Sequence, residues 1–177
     1  MSALIGTGID LVQISAHSEY VTQPGSTFAS VYTDREWSYC ASVTSAPTVR
    51  PLPHFDAKSR APSTRLGEAD GHSSSISAAQ GASLAGCWAA KEAAIKAWSC
   101  ALYGEPPPIA ADEFDWREVE VIHDRWRRPA LQFHGAVAEH ISQLAHSFGG
   151  HLRWHVTVSH DGDYAIASVH LSVLTFS

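Results

Sequence analysis

The sequence predicts an α+β fold in which a mainly antiparallel sheet packs against a long central helix. Three observations carry this expectation. The stretch Trp88-Ala89-Ala90-Lys91-Glu92-Ala93-Ala94-Ile95-Lys96-Ala97 is dominated by strong helix formers and holds no Gly or Pro. Two alternating runs near the C-terminus flank Asp161-Gly162-Asp163, a turn signal that joins them as a hairpin. Strands and helices mix without a regular βα repeat, so a parallel sheet is not expected.

In chain order, Leu4 to Val12 reads as the first strand. Gly6 and Gly8 interrupt it, and glycines in a strand mark close backbone approach or a bulge. Ser15 can cap a short helix that ends before Pro24-Gly25, and Phe28, Val31 and Tyr32 read as core contacts. Thr33-Asp34-Arg35-Glu36 is a capping box that starts a helix through Trp37, Tyr39 and Cys40. From about Ser42 to Gln80, Ser, Pro, Gly and Ala dominate with no sustained period, which reads as a flexible insertion within one domain spanning 1–177. The central helix follows from about Ser83 to Leu102. Leu84, Cys87, Trp88, Ile95, Trp98 and Leu102 form its apolar stripe, and Gly104 with Pro106-Pro107-Pro108 ends it. Glu118 to Ile122 alternates as a half-buried strand, His123 to Arg128 makes a turn, and Ala130 to Phe133 is the next strand. Val137, Ile141, Leu144 and Phe148 trace a helical stripe that stops at Gly149-Gly150. Trp154, Val156 and Val158 alternate with His155, Thr157 and Ser159, giving a strand with one buried face, and Tyr164 to Val173 is the last strand.

Composition narrows the function classes. With 177 residues, 45% hydrophobic and 17% charged, the chain can bury a proper core. A net charge of −6 and the lack of any Lys/Arg run argue against a general nucleic-acid binder. No apolar run is long enough to span a membrane and no signal peptide is visible at Met1-Ser2-Ala3. Cys40, Cys87 and Cys100 show no paired spacing, as expected of reduced thiols in a cytoplasmic protein. The histidines, among them His140, His146, His151 and His155, lack metal-ligand spacing.

Chemistry concentrates in the central helix. Glu92 and Lys96 stand one turn apart on one face, with Trp88 one turn further back. The bland reading is an exposed pair of about 0.2–0.5 kcal/mol. Two details favour a site. The flanking residues are mostly Ala, which allows close approach, and a second acid, Asp10, lies between Ile9 and Leu11-Val12 on the first strand. An acid in so apolar a setting is either hydrogen-bonded structurally or a ligand. Two separated carboxylates plus a Lys would suit a small metal-and-phosphate site. Gly6-Thr7-Gly8 lacks the third glycine and following helix of a dinucleotide fold.

Gly8-Ile9-Asp10, Trp88 to Ala97 and Val158-Ser159-His160-Asp161-Gly162-Asp163-Tyr164-Ala165, taken in order, resemble the phosphopantetheinyl transferases of the holo-acyl-carrier-protein synthase type. The central stretch matches that family's W-x-x-K-E-A-x-x-K-A pattern, in wording close to actinobacterial members. The resemblance implies a phosphopantetheinyl transferase-like fold and transfer of the phosphopantetheine arm of coenzyme A onto a serine of an acyl carrier protein or a synthase carrier domain. Adenosine 3′,5′-bisphosphate leaves. It also implies Mg²⁺ on Asp10 and Glu92, Lys96 on a phosphate, His160 with Ser159 beside it on the coenzyme A phosphates, and a homotrimer with sites at subunit boundaries. Glu92 is a candidate base for the acceptor serine. Lys91 falls near the apolar stripe, so its amine either reaches the site edge to bind coenzyme A or serves structure.

The chain departs from the family in three places. Arg127-Arg128-Pro129 stands where members often have Gly-x-Pro, so the turn geometry and the arginines' role are open. Ala16-His17-Ser18-Glu19-Tyr20 has none of the basic residues many members use to dock an acidic carrier. The 42–80 insertion is longer than the type requires. Two rival functions are a metal-dependent nucleotide phosphohydrolase, recognised by phosphate release without a carrier, and a non-catalytic module that binds carrier or coenzyme A.

Overall fold

The structure, a computed structural model, describes residues 2–43 and 76–175. Strand β1 (Ser2–Gln13) leads directly into helix α1 (Ile14–Thr22). A 3-10 turn (Phe28–Val31) and helix α2 (Asp34–Ser42) follow, and then the long helix α3 (Ala78–Ala101). After a 3-10 turn at Trp116–Glu118 come strands β2 (Val119–His123) and β3 (Pro129–Phe133) and helix α4 (Gly135–Ser147). Strands β4 (His151–Asp161) and β5 (Tyr164–Leu174) close the chain as a hairpin. The expected antiparallel arrangement is present as two sheets. One has the order β1-β5-β4 and the other is the β2-β3 ribbon.

The glycines of β1 mark close backbone approach. A Cβ on Gly8 would collide with the carbonyl oxygen of Ala93, and one on Gly6 with that of Ala97. Strand and helix therefore touch backbone to backbone, which only small residues on both sides permit. Ala165 and Ala167 continue this tight face on β5.

Helix α3 is buried around most of its circumference, not along a single stripe. Ala89, Ala90, Ala93, Ala94 and Ala97 are as inaccessible as Leu84. The sheet lies on one side and α1, α2 and β2 lie on others. Ala carries no strong hydrophobic signal, so this second buried face is invisible in the periodicity. The helix also begins earlier than its apolar pattern, with the Ser77 side chain accepting a hydrogen bond from the Gln80 N–H. Residues 78–80 thus belong to α3, while most of the expected 42–80 insertion lies outside the described residues.

Two local expectations change. Ser15 does not cap α1; the helix starts at Ile14, and the Ser15 hydroxyl donates to Asp163 Oδ2 at 2.6 Å. Glu120 does not face water as alternation suggested. It is buried, accepts from Thr33 Oγ1 at 2.7 Å and lies 3.1 Å from His134 Nε2. The Thr33–Glu36 capping box is formed in full.

The inner face of the three-stranded sheet carries Val169 and Leu171 into the core. Its outer face carries Ile9, Leu11 and Ile166, which stay exposed, and Leu11 lies opposite Ile166 in the β1–β5 register. Among the described residues no helix is long and apolar enough to cross a membrane. All three cysteines are free, Cys40 and Cys87 buried and Cys100 exposed.

Candidate active site

Alternation along β1 puts Asp10 on the same face as Gly6 and Gly8, toward α3. There it meets Glu92 and Lys96 on that helix. Lys96 Nζ donates to Asp10 Oδ1 at 2.6 Å and lies 3.7 Å from Glu92 Oε2. One ammonium group thus bridges two carboxylates. Burial raises the Glu92 pKa and the Asp10 charge adds to the rise, with Lys96 opposing it. The hydrogen bond to Asp10 raises the pKa of Lys96. The cluster has one negative charge more than its own cation balances.

Asp10 and Glu92 edge an open cavity of about 400 Å³, whose walls include Trp88, Phe28, Tyr20 and His17. Phe28 packs edge-on against Trp88 with ring centroids 4.7 Å apart. Among the described residues no three His, Cys, Asp or Glu side chains converge into a closed metal cage. Two carboxylates at an open cavity instead fit Mg²⁺, a hard ion that keeps several waters and completes its shell with substrate phosphates. The mutual repulsion of Asp10 and Glu92 is the electrostatic reason a cation would be favoured there.

The remaining predicted residues lie elsewhere. Lys91 is fully buried. Its ammonium sits 2.9 Å from Glu36 Oε2 and donates to the carbonyl oxygens of Val31 at 2.9 Å and Trp116 at 3.0 Å. Burial lowers its pKa while Glu36 raises it. All three of its protons have partners within the chain, which is the arrangement of the structural alternative. The helical row fixes this outcome: Lys91 is one residue, or about 100°, from Glu92.

His160 lies on the inner face of β4 beside the first turns of α3. Its Nε2 is 2.9 Å from the Ala82 carbonyl oxygen, and it lines a second cavity of about 130 Å³ with Tyr39, His123, Gly86 and Arg127. Ala82 and Glu92 are ten residues apart, about 15 Å along the helix, so one chain does not join His160 to the Asp10–Glu92 cluster. Ser159 points to the exposed outer face of the sheet.

Arg127, whose turn was in question, has φ 64° and is the only non-glycine with positive φ among the described residues. Arg127 thus keeps a conformation natural to Gly. Neither the stacked Tyr39–His123 pair (centroids 3.7 Å, interplanar angle 4°) nor His17 in the first cavity is legible in the sequence, because both depend on contacts between distant elements.

The sequence pattern of the 4'-phosphopantetheinyl transferase superfamily matches residues 6–169. The chain belongs to this superfamily. It is 34% identical over 170 residues to the holo-[acyl-carrier-protein] synthase of Corynebacterium glutamicum, covering 96% of this chain and 99% of that one. The Mycobacterium leprae holo-[acyl-carrier-protein] synthase is 33% identical over 171 residues, covering 97% and 98%. Among solved structures, the Chronobacterium ammoniagenes ACPS–CoA complex superposes with a TM-score of 0.67 at 36% identity, covering 96% of this chain and 97% of that one. The transferase fold is therefore the fold of this chain.

Proposed function

We propose that the protein transfers 4′-phosphopantetheine from coenzyme A to a serine hydroxyl of an apo acyl carrier protein or of a synthase carrier domain. The reaction releases adenosine 3′,5′-bisphosphate and takes place in the cytoplasm. The observation that carries this reading is the Asp10–Lys96–Glu92 cluster at the edge of an open cavity, in a chain of this superfamily.

The chemistry follows from that geometry. The serine oxygen attacks the phosphorus that bears the pantetheine arm. A new P–O bond forms, and the P–O bond to adenosine 3′,5′-bisphosphate breaks. Such a transfer needs placement and charge neutralisation more than covalent help from the protein. Lys96 places its ammonium on a phosphate oxygen. Glu92 takes the proton of the serine hydroxyl, directly or through water, and its raised pKa suits a proton acceptor. Mg²⁺, held by Asp10 and Glu92, would supply charge neutralisation for the pyrophosphate oxygens. Near-normal turnover by Glu92→Gln at saturating Mg²⁺ would rule out Glu92 as the base.

His160 takes part by facing the phosphates of coenzyme A bound to a neighbouring copy. Two observations support assembly into a homotrimer. His160 is far from the carboxylates of its own chain, and the outer sheet face around Ile9, Leu11 and Ile166 is apolar and uncovered.

Intact-mass spectrometry tests the function. Apo carrier protein is incubated with coenzyme A, Mg²⁺ and the protein, beside samples carrying Asp10→Ala or Glu92→Ala. A phosphopantetheine mass gain that requires metal and both carboxylates is expected. Coenzyme A binding without gain on any carrier domain from the same organism would overturn the reading in favour of a binding module.

A further inference from the structure

The turn between β2 and β3 concentrates a charge that the proposed chemistry does not use. The chain has a net charge of −6, yet Arg125, Arg127 and Arg128 fall within this one turn. All three are exposed. Asp124 is the one acid beside them. Its carboxylate is taken by the Arg128 side chain at 2.6 Å and by the backbone N–H groups of Trp126 and Arg128. Among the described residues no carboxylate pairs with Arg125 or Arg127. Three guanidiniums against one carboxylate leave the turn basic on an acidic protein.

Trp126 stands among these arginines, 60% exposed and outside the hydrophobic core. The Arg125 guanidinium lies 3.8 Å from its ring centroid and that of Arg128 lies 4.7 Å from it. Stacking of this kind orders a guanidinium and leaves its N–H edge free to donate. The backbone beneath is also fixed, because the Asp124 N–H donates to the Arg128 carbonyl at 3.1 Å and the Arg127 N–H to the Asp124 carbonyl at 2.9 Å. Trp and Arg are the side chains most often found at binding hot spots. Held in place beforehand, they lose little freedom when a partner seats on them.

Position and charge select the occupant. Arg127 lines the cavity of about 130 Å³ that holds His160, whereas Arg125 and Trp126 are not in its wall. A protein bound to Arg125 and Trp126 therefore sits beside that cavity without filling it. The other cavity repels an acidic partner. Helix α1 on its rim has no Lys or Arg and one acid, Glu19, and Asp10 and Glu92 outnumber Lys96. Carboxylates on an incoming protein are drawn to the turn instead. We infer that the β2–β3 turn docks the carrier protein, with Trp126 against an apolar spot on its surface and Arg125 and Arg128 donating to carboxylates around that spot. The inference rests on the transferase reading above.

Steady-state transfer on the full-length protein tests it, with the apo carrier that gains mass in the assay above and with coenzyme A varied separately. Arg125→Glu and Trp126→Ala should each raise the carrier KM about tenfold, the effect of losing a hot-spot residue, and leave the coenzyme A KM within about twofold. Added salt should raise the carrier KM of the wild type more steeply than that of Arg125→Glu. Should one variant fail to fold, the other decides. An unchanged carrier KM, or equal rises for carrier and coenzyme A, would overturn the docking role and leave the transferase reading standing. A wild-type protein that modifies no carrier would overturn the transferase reading, and this inference with it.

Discussion

Lys91 and Lys96 lie five residues apart on one helix and serve opposite ends. Lys96 is half-exposed and bridges Asp10 and Glu92 at the cavity, while Lys91 is sealed against Glu36 in the core. Removing one member of a buried pair strands the other charge. Lys91→Met should therefore destabilise the protein by about 3–5 kcal/mol in urea unfolding. Adding Glu36→Gln should recover part of the loss. If Lys91→Met unfolds like wild type but loses coenzyme A affinity, the structural assignment is wrong. His17 and His123 give a second residue-level prediction. Burial holds both pKa values near 4, below the ordinary 6.5. The unfolded chain then binds more protons than the folded one between those values, so stability rises with pH across that interval. Urea midpoints should fall from pH 7 to pH 5, and the fall should shrink in His17→Phe.

At the scale of the element, the turn between β2 and β3 is held by Asp124. Its carboxylate accepts from the backbone N–H groups of Trp126 and Arg128 and pairs with the Arg128 side chain at 2.6 Å. These contacts keep Arg127 left-handed, which is unfavourable for a residue with a Cβ by about 1–2 kcal/mol. Arg127→Gly should thus raise stability by about 1 kcal/mol, read as a higher urea midpoint. If the Arg127 side chain in the His160 cavity also meets phosphate, the same variant should bind coenzyme A more weakly. A more stable variant with unchanged affinity would leave the arginine solvated and without a binding role. The β1–α3 contact is a second element-level constraint. Gly8→Ala forces a Cβ onto the Ala93 carbonyl, and overpacking of this kind costs about 1–3 kcal/mol. Because Asp10 is two residues on, turnover should fall along with the thermal midpoint. Loss of neither would mean that strand and helix separate freely.

At the scale of the whole molecule, the carboxylates and His160 lie about 15 Å apart along α3. If neighbouring copies complete each site, Glu92→Ala and His160→Ala should each be inactive alone. Activity should return when the two proteins are mixed under conditions of subunit exchange. Leu11→Arg with Ile166→Arg should lower the sedimenting mass and abolish transfer together. A monomeric, fully active wild type would overturn the shared-site reading.

The sequence by itself determined the element order, the antiparallel hairpin, the long helix and the pairing of Glu92 with Lys96, while the approach of Asp10 to Lys96 came with the packing of β1 on α3. Each of the former is written in local spacing: i and i+4 on a helix, and a Gly turn between alternating runs. Only the tertiary structure decided what burial does to individual side chains. An alanine helix gives no hint of how many faces are covered, so the sequence left Lys91 suspended between site and core. Alternation alone also exposed Glu120, until Thr33 and His134 arrived from distant elements to hold it inside. His17 carried no sequence signal, because its setting comes from Tyr32, Leu84 and the cavity of Asp10 and Glu92, which the chain brings together only when α1 folds back onto α3.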